Sequence, residues 1–186
     1  MVVNEKGLIR AMKEAYKVTG YDVAVEEAGT VENLIISAPN WAVVMERKSV
    51  PPKVRGLIAE HLPEFPKVGE AYCVKKGEPQ LELYDAAMVY IRNVGAGEKS
   101  YKIIRRTNLT LGGYPLWQRK DDLRMFEINP DHEDIMSLGR GTLRIVGDTH
   151  LLLDDLESRV YISLYKPDEH EQNRLDHLSK VEWAAI

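Results

Sequence analysis

A strand–turn–strand–helix pattern between Asn33 and Leu62 most constrains how this chain can fold. The apolar run Leu34-Ile35-Ile36 meets Pro39-Asn40. That pair favours a turn, because proline presets φ and asparagine tolerates left-handed backbone. A second run, Trp41-Ala42-Val43-Val44-Met45, follows at once and ends in Glu46-Arg47-Lys48. So short a connection implies an antiparallel hairpin, since a parallel return needs a crossover of a dozen or more residues. Pro51-Pro52 ends the second strand, because proline cannot donate to a ladder. The same pair suits the first turn of a helix, where the missing N–H has no intrahelical partner anyway. Val54, Leu57, Ile58 and Leu62 then recur at helical spacing, with Ser49 as candidate cap and Pro63 and Pro66 as the stop.

The rest of the chain arranges itself around that centre. Residues 4–19 form an amphipathic helix, with Asn4 at the N-cap, an apolar stripe of Leu8, Met12, Ala15 and Tyr16, and Gly20 at a left-handed C-cap position. Tyr21, Val23 and Val25 alternate with Asp22, Ala24 and Glu26 as a half-buried strand. Residues 31–37 and 41–50 are the two strands of the hairpin. A further strand is expected over 69–76, and a long one over 81–94 on β-branched and aromatic content. Val94-Gly95-Ala96-Gly97-Glu98 is the candidate boundary. Beyond it, strands are expected over 101–107, 109–111, 142–146, 149–153 and 160–165, and over 116–128 with Asp121-Asp122 interrupting. Asn129-Pro130-Asp131 starts a short helical turn. Asp168 and Glu171 have capping-box spacing at the head of a closing helix striped by Leu175, Leu178 and Val181, and Trp183 docks its end. The expected class is therefore α+β: a mixed or largely antiparallel sheet, an N-terminal helix, one helix after the central hairpin and a C-terminal helix. At 186 residues the expectation is one compact domain over 1–186, organised as two packed lobes, 1–93 and 99–186.

Composition removes several function classes. A net charge of -4 gives no global signature for nucleic acid. The one cysteine, Cys73, excludes an intramolecular disulfide and a cysteine-based zinc site, and its apolar neighbours predict an inert buried thiol. No run approaches the ~20 apolar residues that span a bilayer. No signal sequence is legible, so no membrane partner and a cytoplasmic location are expected. Glycine-rich phosphate loops and the G-x-S-x-G elbow are absent. His170 and His177 are seven apart, too far along a helix for joint metal ligation.

Glu46-x-Lys48 is the one pair with motif-like chemistry. Strand alternation places Glu46 and Lys48 on one face with Ala42 and Val44, and Arg47 on the other with Trp41, Val43 and Met45. A carboxylate and an ammonium at a strand end can hold Mg²⁺ and position a water, given a second carboxylate. The order helix, strand, hairpin ending in Glu-x-Lys, helix, strand resembles the core of the PD-(D/E)xK nucleases over roughly residues 4–76. The resemblance implies that Glu46 is a metal ligand, that Lys48 is the water-activating or transition-state-stabilising cation, and that the cofactor is Mg²⁺. That family carries an acid, usually Asp, at the start of the preceding strand. Here the segment reads Glu32-Asn33-Leu34, so Glu32 is the candidate third residue.

Charge is segregated along the chain. Arg47, Lys48, Lys53 and Arg55 cluster, and Lys99 to Arg124 holds seven basic residues against two acids. Residues 131–186 carry twelve acids and six basic residues. Arg47, Lys53, Arg55, Arg105 and Arg106 are the candidate nucleic-acid contacts. The acidic part either packs against these basic segments or forms a self-complementary surface between copies. With no complete catalytic set, the expected function is that of a non-catalytic protein working through a protein partner or self-association as a homo-oligomer, with no cofactor. The alternatives are a PD-(D/E)xK-type metal-dependent nuclease and a nucleic-acid-binding module.

Overall fold

The computed structural model describes residues 1–82, 102–146 and 149–185. Helix α1 (Glu5–Val18) opens the chain. Strands β1 (Tyr21–Ala28), β2 (Val31–Ala38) and β3 (Trp41–Glu46) follow as an antiparallel meander. A 3₁₀ turn (Arg47–Ser49) leads to α2 (Pro52–His61), then β4 (Ala71–Val74) and β5 (Leu81–Glu82). The second half contributes β6 (Lys102–Leu111), β7 (Tyr114–Arg119), β8 (Met125–Glu127), α3 (Pro130–Glu133), β9 (Thr142–Val146), β10 (His150–Asp154), β11 (Ser158–Ser163) and α4 (Glu169–Leu178).

These strands form one eleven-stranded run in the order β5-β4-β1-β2-β3-β11-β10-β9-β6-β7-β8. Each pairing between named strands is antiparallel, as the α+β reading allowed. The central hairpin is in place, with Ile36 opposite Val43 and Asn33 opposite Glu46. Its β3 edge is closed by β11, from the far end of the chain.

Alternation along the strands explains the packing. Leu34 and Ile36 of β2 and Trp41, Val43 and Met45 of β3 face the main core with Leu8 and Met12 of α1 and Val54, Leu57 and Ile58 of α2. Trp117, Phe126, Ile135 and Leu151 from the second half join the same cluster. Full burial of one such side chain is worth about 1.5–3 kcal/mol. Ile35 on the opposite face packs with Ala24 and Ala71, and Ala42 with Val146, Leu152 and Tyr161. Leu116 and Met125, on the outer face of β7–β8, are covered by Leu175 and Leu178 of α4 and by Trp183.

Several local expectations need correction. Asn4 sits at the N-cap of α1, but its side chain makes no capping bond. The strand expected to run to Val50 stops at Glu46, and α2 has no side-chain cap from Ser49. From Lys102 on, the two extended segments expected over 101–107 and 109–111 are one strand, β6, with an irregularity between Arg106 and Thr110 that the Thr107 hydroxyl fills by accepting from Leu109 N. Val181 lies beyond α4 and is exposed. The Asp121-Asp122 interruption does split the expected strand into β7 and β8, and the Asp168–Glu171 capping box forms. Gly20 takes the left-handed conformation (φ 82°) and closes α1 through a bond to Ala15 O. The long strand over 81–94 is described only as Leu81–Glu82, and the boundary at Val94–Glu98 lies outside the described residues.

Candidate functional site

The chain leaves β3 at Glu46 and turns, so the simple alternation expected for Glu46 and Lys48 does not apply. Lys48 Nζ nevertheless folds back to Glu46 Oε2 at 2.8 Å. This is a close ion pair, and among the described residues that buried oxygen has no further partner. The Glu46 carboxylate holds the exposed Lys48 ammonium above its ordinary pKa. Glu32 does not join them. It leaves β2 on the side of Leu34 and Ile36, whereas Glu46 faces with its cross-strand partner Asn33. Arg47 Nη1 binds Glu32 at 2.8 Å. Glu26 stands nearer the point, because it is the partner of Asn33 on the other flank. Glu26, Asn33 and Glu46 thus form one cross-strand row, with a neutral amide between two carboxylates. Among the described residues, no group of three His, Cys, Asp or Glu side chains is placed to hold a metal ion.

Most of the basic residues named from sequence are already engaged. Arg47 holds Glu32 and lies 5.3 Å from the centre of the Phe65 ring. Arg55 donates to Arg47 O. Arg105 pairs with Glu182 at 2.8 Å and with Gln118 at 3.1 Å. Arg106 pairs with Glu133. Lys53 is exposed on the first turn of α2. The segregated charge seen along the sequence is therefore matched partly within the chain. Cys73 is half-buried rather than buried, and its thiol is pushed up to about 11, first by burial and then by the adjacent Asp22, which leaves it protonated.

A concavity lies elsewhere. A groove of about 480 Å³ runs between α1, the β2–β3 turn and the start of α3. Small side chains on α1, Ala11 and Ala15, make room for it, and Pro39 and Trp41 complete an apolar floor. Val18, 61% exposed, flanks it. The rim is polar: Arg10, Glu14, Asp131 and His132. Arg10 is held by Asp134, and Asp131 lies 3.7 Å from it, so that cation is neutralised. Glu14 has no ion partner among the described residues. Burial lowers the His132 pKa and keeps its ring neutral at pH 7. The rim is therefore acidic.

Sequence reasoning missed this groove because α1 and α3, which flank it, lie more than a hundred residues apart. What joins them is a close approach of α1 to α3. A Cβ at Gly7 would fall 1.8 Å from Asp134 O, and Asn4 N donates to Ile135 O at 2.8 Å. The local signals were Ala15 in the α1 stripe and His132 among acids. Comparison with known protein families, with curated proteins and with solved structures gives no match.

Proposed function

We propose that this protein is non-catalytic and works by contact with another polypeptide, through the groove between α1, the β2–β3 turn and α3. The carrying observation is the apolar floor of Ala11, Ala15, Pro39 and Trp41 beneath a rim on which Glu14 is unneutralised. Such a surface selects an apolar side chain flanked by basic residues, with the groove providing affinity and the rim orientation. The test is a set of short leucine-containing peptides flanked by lysine or by glutamate, titrated against Trp41 fluorescence. Lysine-flanked peptides bind, and Glu14→Lys weakens them about tenfold. Light scattering across salt concentrations runs in parallel. A dimer that dissociates in Val18→Asp identifies a second copy as the occupant. A monomer under all conditions that binds none of the peptides overturns the proposal.

One observation favours a second reading, a metal-dependent nuclease. Glu26, Asn33 and Glu46 share a row beside Lys48, at the end of a helix–meander–helix–strand unit. In that reading Glu46 and Glu26 hold Mg²⁺, Lys48 stabilises the developing charge, and Asn33 occupies the place of a third acid. Asn33→Asp then raises Mg²⁺- or Mn²⁺-dependent cleavage of DNA or RNA, and Glu46→Ala abolishes it. Absence of cleavage in both the parent and Asn33→Asp disposes of this reading.

A further inference from the structure

A second cleft, of about 620 Å³, lies where β6 and β7 meet α3 and the chain leading from it into β9. Arg106 is the cross-strand partner of Trp117, so both side chains leave the same face of the sheet. Arg106 Nε donates to Glu133 Oε1 at 2.5 Å. That one-toothed pair leaves the two terminal nitrogens of the guanidinium without a partner among the described residues. Trp117 is 1% exposed, and its enclosed indole N–H has no acceptor among the described residues. Buried indole N–H groups in native proteins find a partner, and one that does not calls for an explanation. Met136, Leu138 and Leu143 supply apolar walls, and Leu138 is 44% exposed.

Charge limits what the cleft accepts. Arg105 is taken by Gln118 and Glu182, and Asp134 by Arg10. What remains is Arg106 against Glu133, which cancel. A polyphosphate finds no net positive field here, whereas a neutral or singly charged molecule enters without penalty.

We infer that this cleft binds a small flat molecule, neutral or singly charged, through a carbonyl or carboxylate oxygen. The oxygen accepts from the terminal N–H groups of Arg106, beside the enclosed indole of Trp117. The ring lies against Met136, Leu138 and Leu143. Pockets of this kind, mostly apolar with a few convergent donors, are the usual form of small-molecule sites.

The test uses the full ¹⁵N-labelled chain with benzoate and benzamide as probes and inorganic phosphate as the control. The expected result is a saturable shift of the Trp117 indole N–H signal, assigned by through-bond spectra, with either organic probe and none with phosphate. Arg106→Lys keeps the charge beside Glu133 but loses the planar fork, so it weakens the probe about tenfold while leaving the thermal midpoint near that of the parent. No saturable shift at Trp117 by about 50 mM of either probe overturns the inference, since so small a fragment saturates a matching site in that range. An equal response in Arg106→Lys, or a response confined to Trp41 or Trp183, overturns it as well.

Discussion

Two buried polar side chains show how single residues set the balance of this protein. Gln118 is fully buried, and all its hydrogen-bonding groups are used. Its amide nitrogen donates to Leu123 O at 2.9 Å and Val181 O at 2.8 Å, and its oxygen accepts from Trp183 N at 3.0 Å and from Arg105. It therefore pins the segment after α4 to the outer face of β7. Gln118→Leu leaves those backbone groups unpaired and costs about 3 kcal/mol. A lowered urea midpoint, with faster amide exchange at Trp183, is the expected result. Glu127 is the opposite case, because burial, and then the nearby Glu171 and Asp168, raise its pKa. With the folded value above the unfolded one, the native state holds the proton more tightly. The stability this brings is complete below the unfolded pKa and is lost as pH rises through the folded one. Glu127→Gln removes the loss. The variant has a higher denaturant midpoint than the parent near pH 8, and the difference shrinks towards about pH 4.

At the scale of elements, the position of α1 is decided by a residue with no side chain. Gly7 lets the helix backbone lie against Asp134 O, where a Cβ would fall at 1.8 Å. The contact is reinforced by Asn4 N to Ile135 O, by the Arg10–Asp134 pair and by a bridge between Val3 and Met136. Gly7→Ala improves intrinsic helix propensity by about 1 kcal/mol, yet the clash forces the helix away from α3. The expected net effect is a loss of about 2 kcal/mol or more, read from a denaturant melt. A neutral or stabilised variant would mean that α1 does not rest there. The groove beside this contact widens or collapses with it, so Gly7→Ala also weakens peptide binding in the assay above.

For the molecule as a whole, the notable connection is β3 to β11. It hydrogen-bonds the central hairpin to a strand more than a hundred residues later, with Val43 opposite Val160. Val2, Leu8 and Ile36 share one apolar cluster with Trp117, Phe126, Leu151 and Ile162. Halves joined by a common sheet and a common core lose their structure together. Urea unfolding followed by tryptophan fluorescence and by far-ultraviolet circular dichroism is expected to give coincident transitions. Two separated transitions would show that the two halves fold independently.

The sequence by itself determined the elements whose causes are local. Pro39-Asn40 made the hairpin, Pro51-Pro52 opened α2, Gly20 closed α1, and Asp168 with Glu171 capped α4. Each depends on backbone chemistry within a few residues, so spacing alone revealed it. Glu46 and Lys48 were legible as a pair for the same reason, while the turn that bends Lys48 back to Glu46 was not. Only the tertiary structure decided that Glu32 and Glu46 lie on opposite faces, that Glu26 and Asn33 align with Glu46, and that most of the candidate basic residues are spent on acids of the same chain. The groove and the cleft belong there too. The groove arises where α3 meets α1 and the β2–β3 turn, far away in sequence, and the cleft where α3 and the chain after it pack across β6 and β7; strand order, register across non-consecutive strands and the close approach at Gly7 are set by which surfaces pack together.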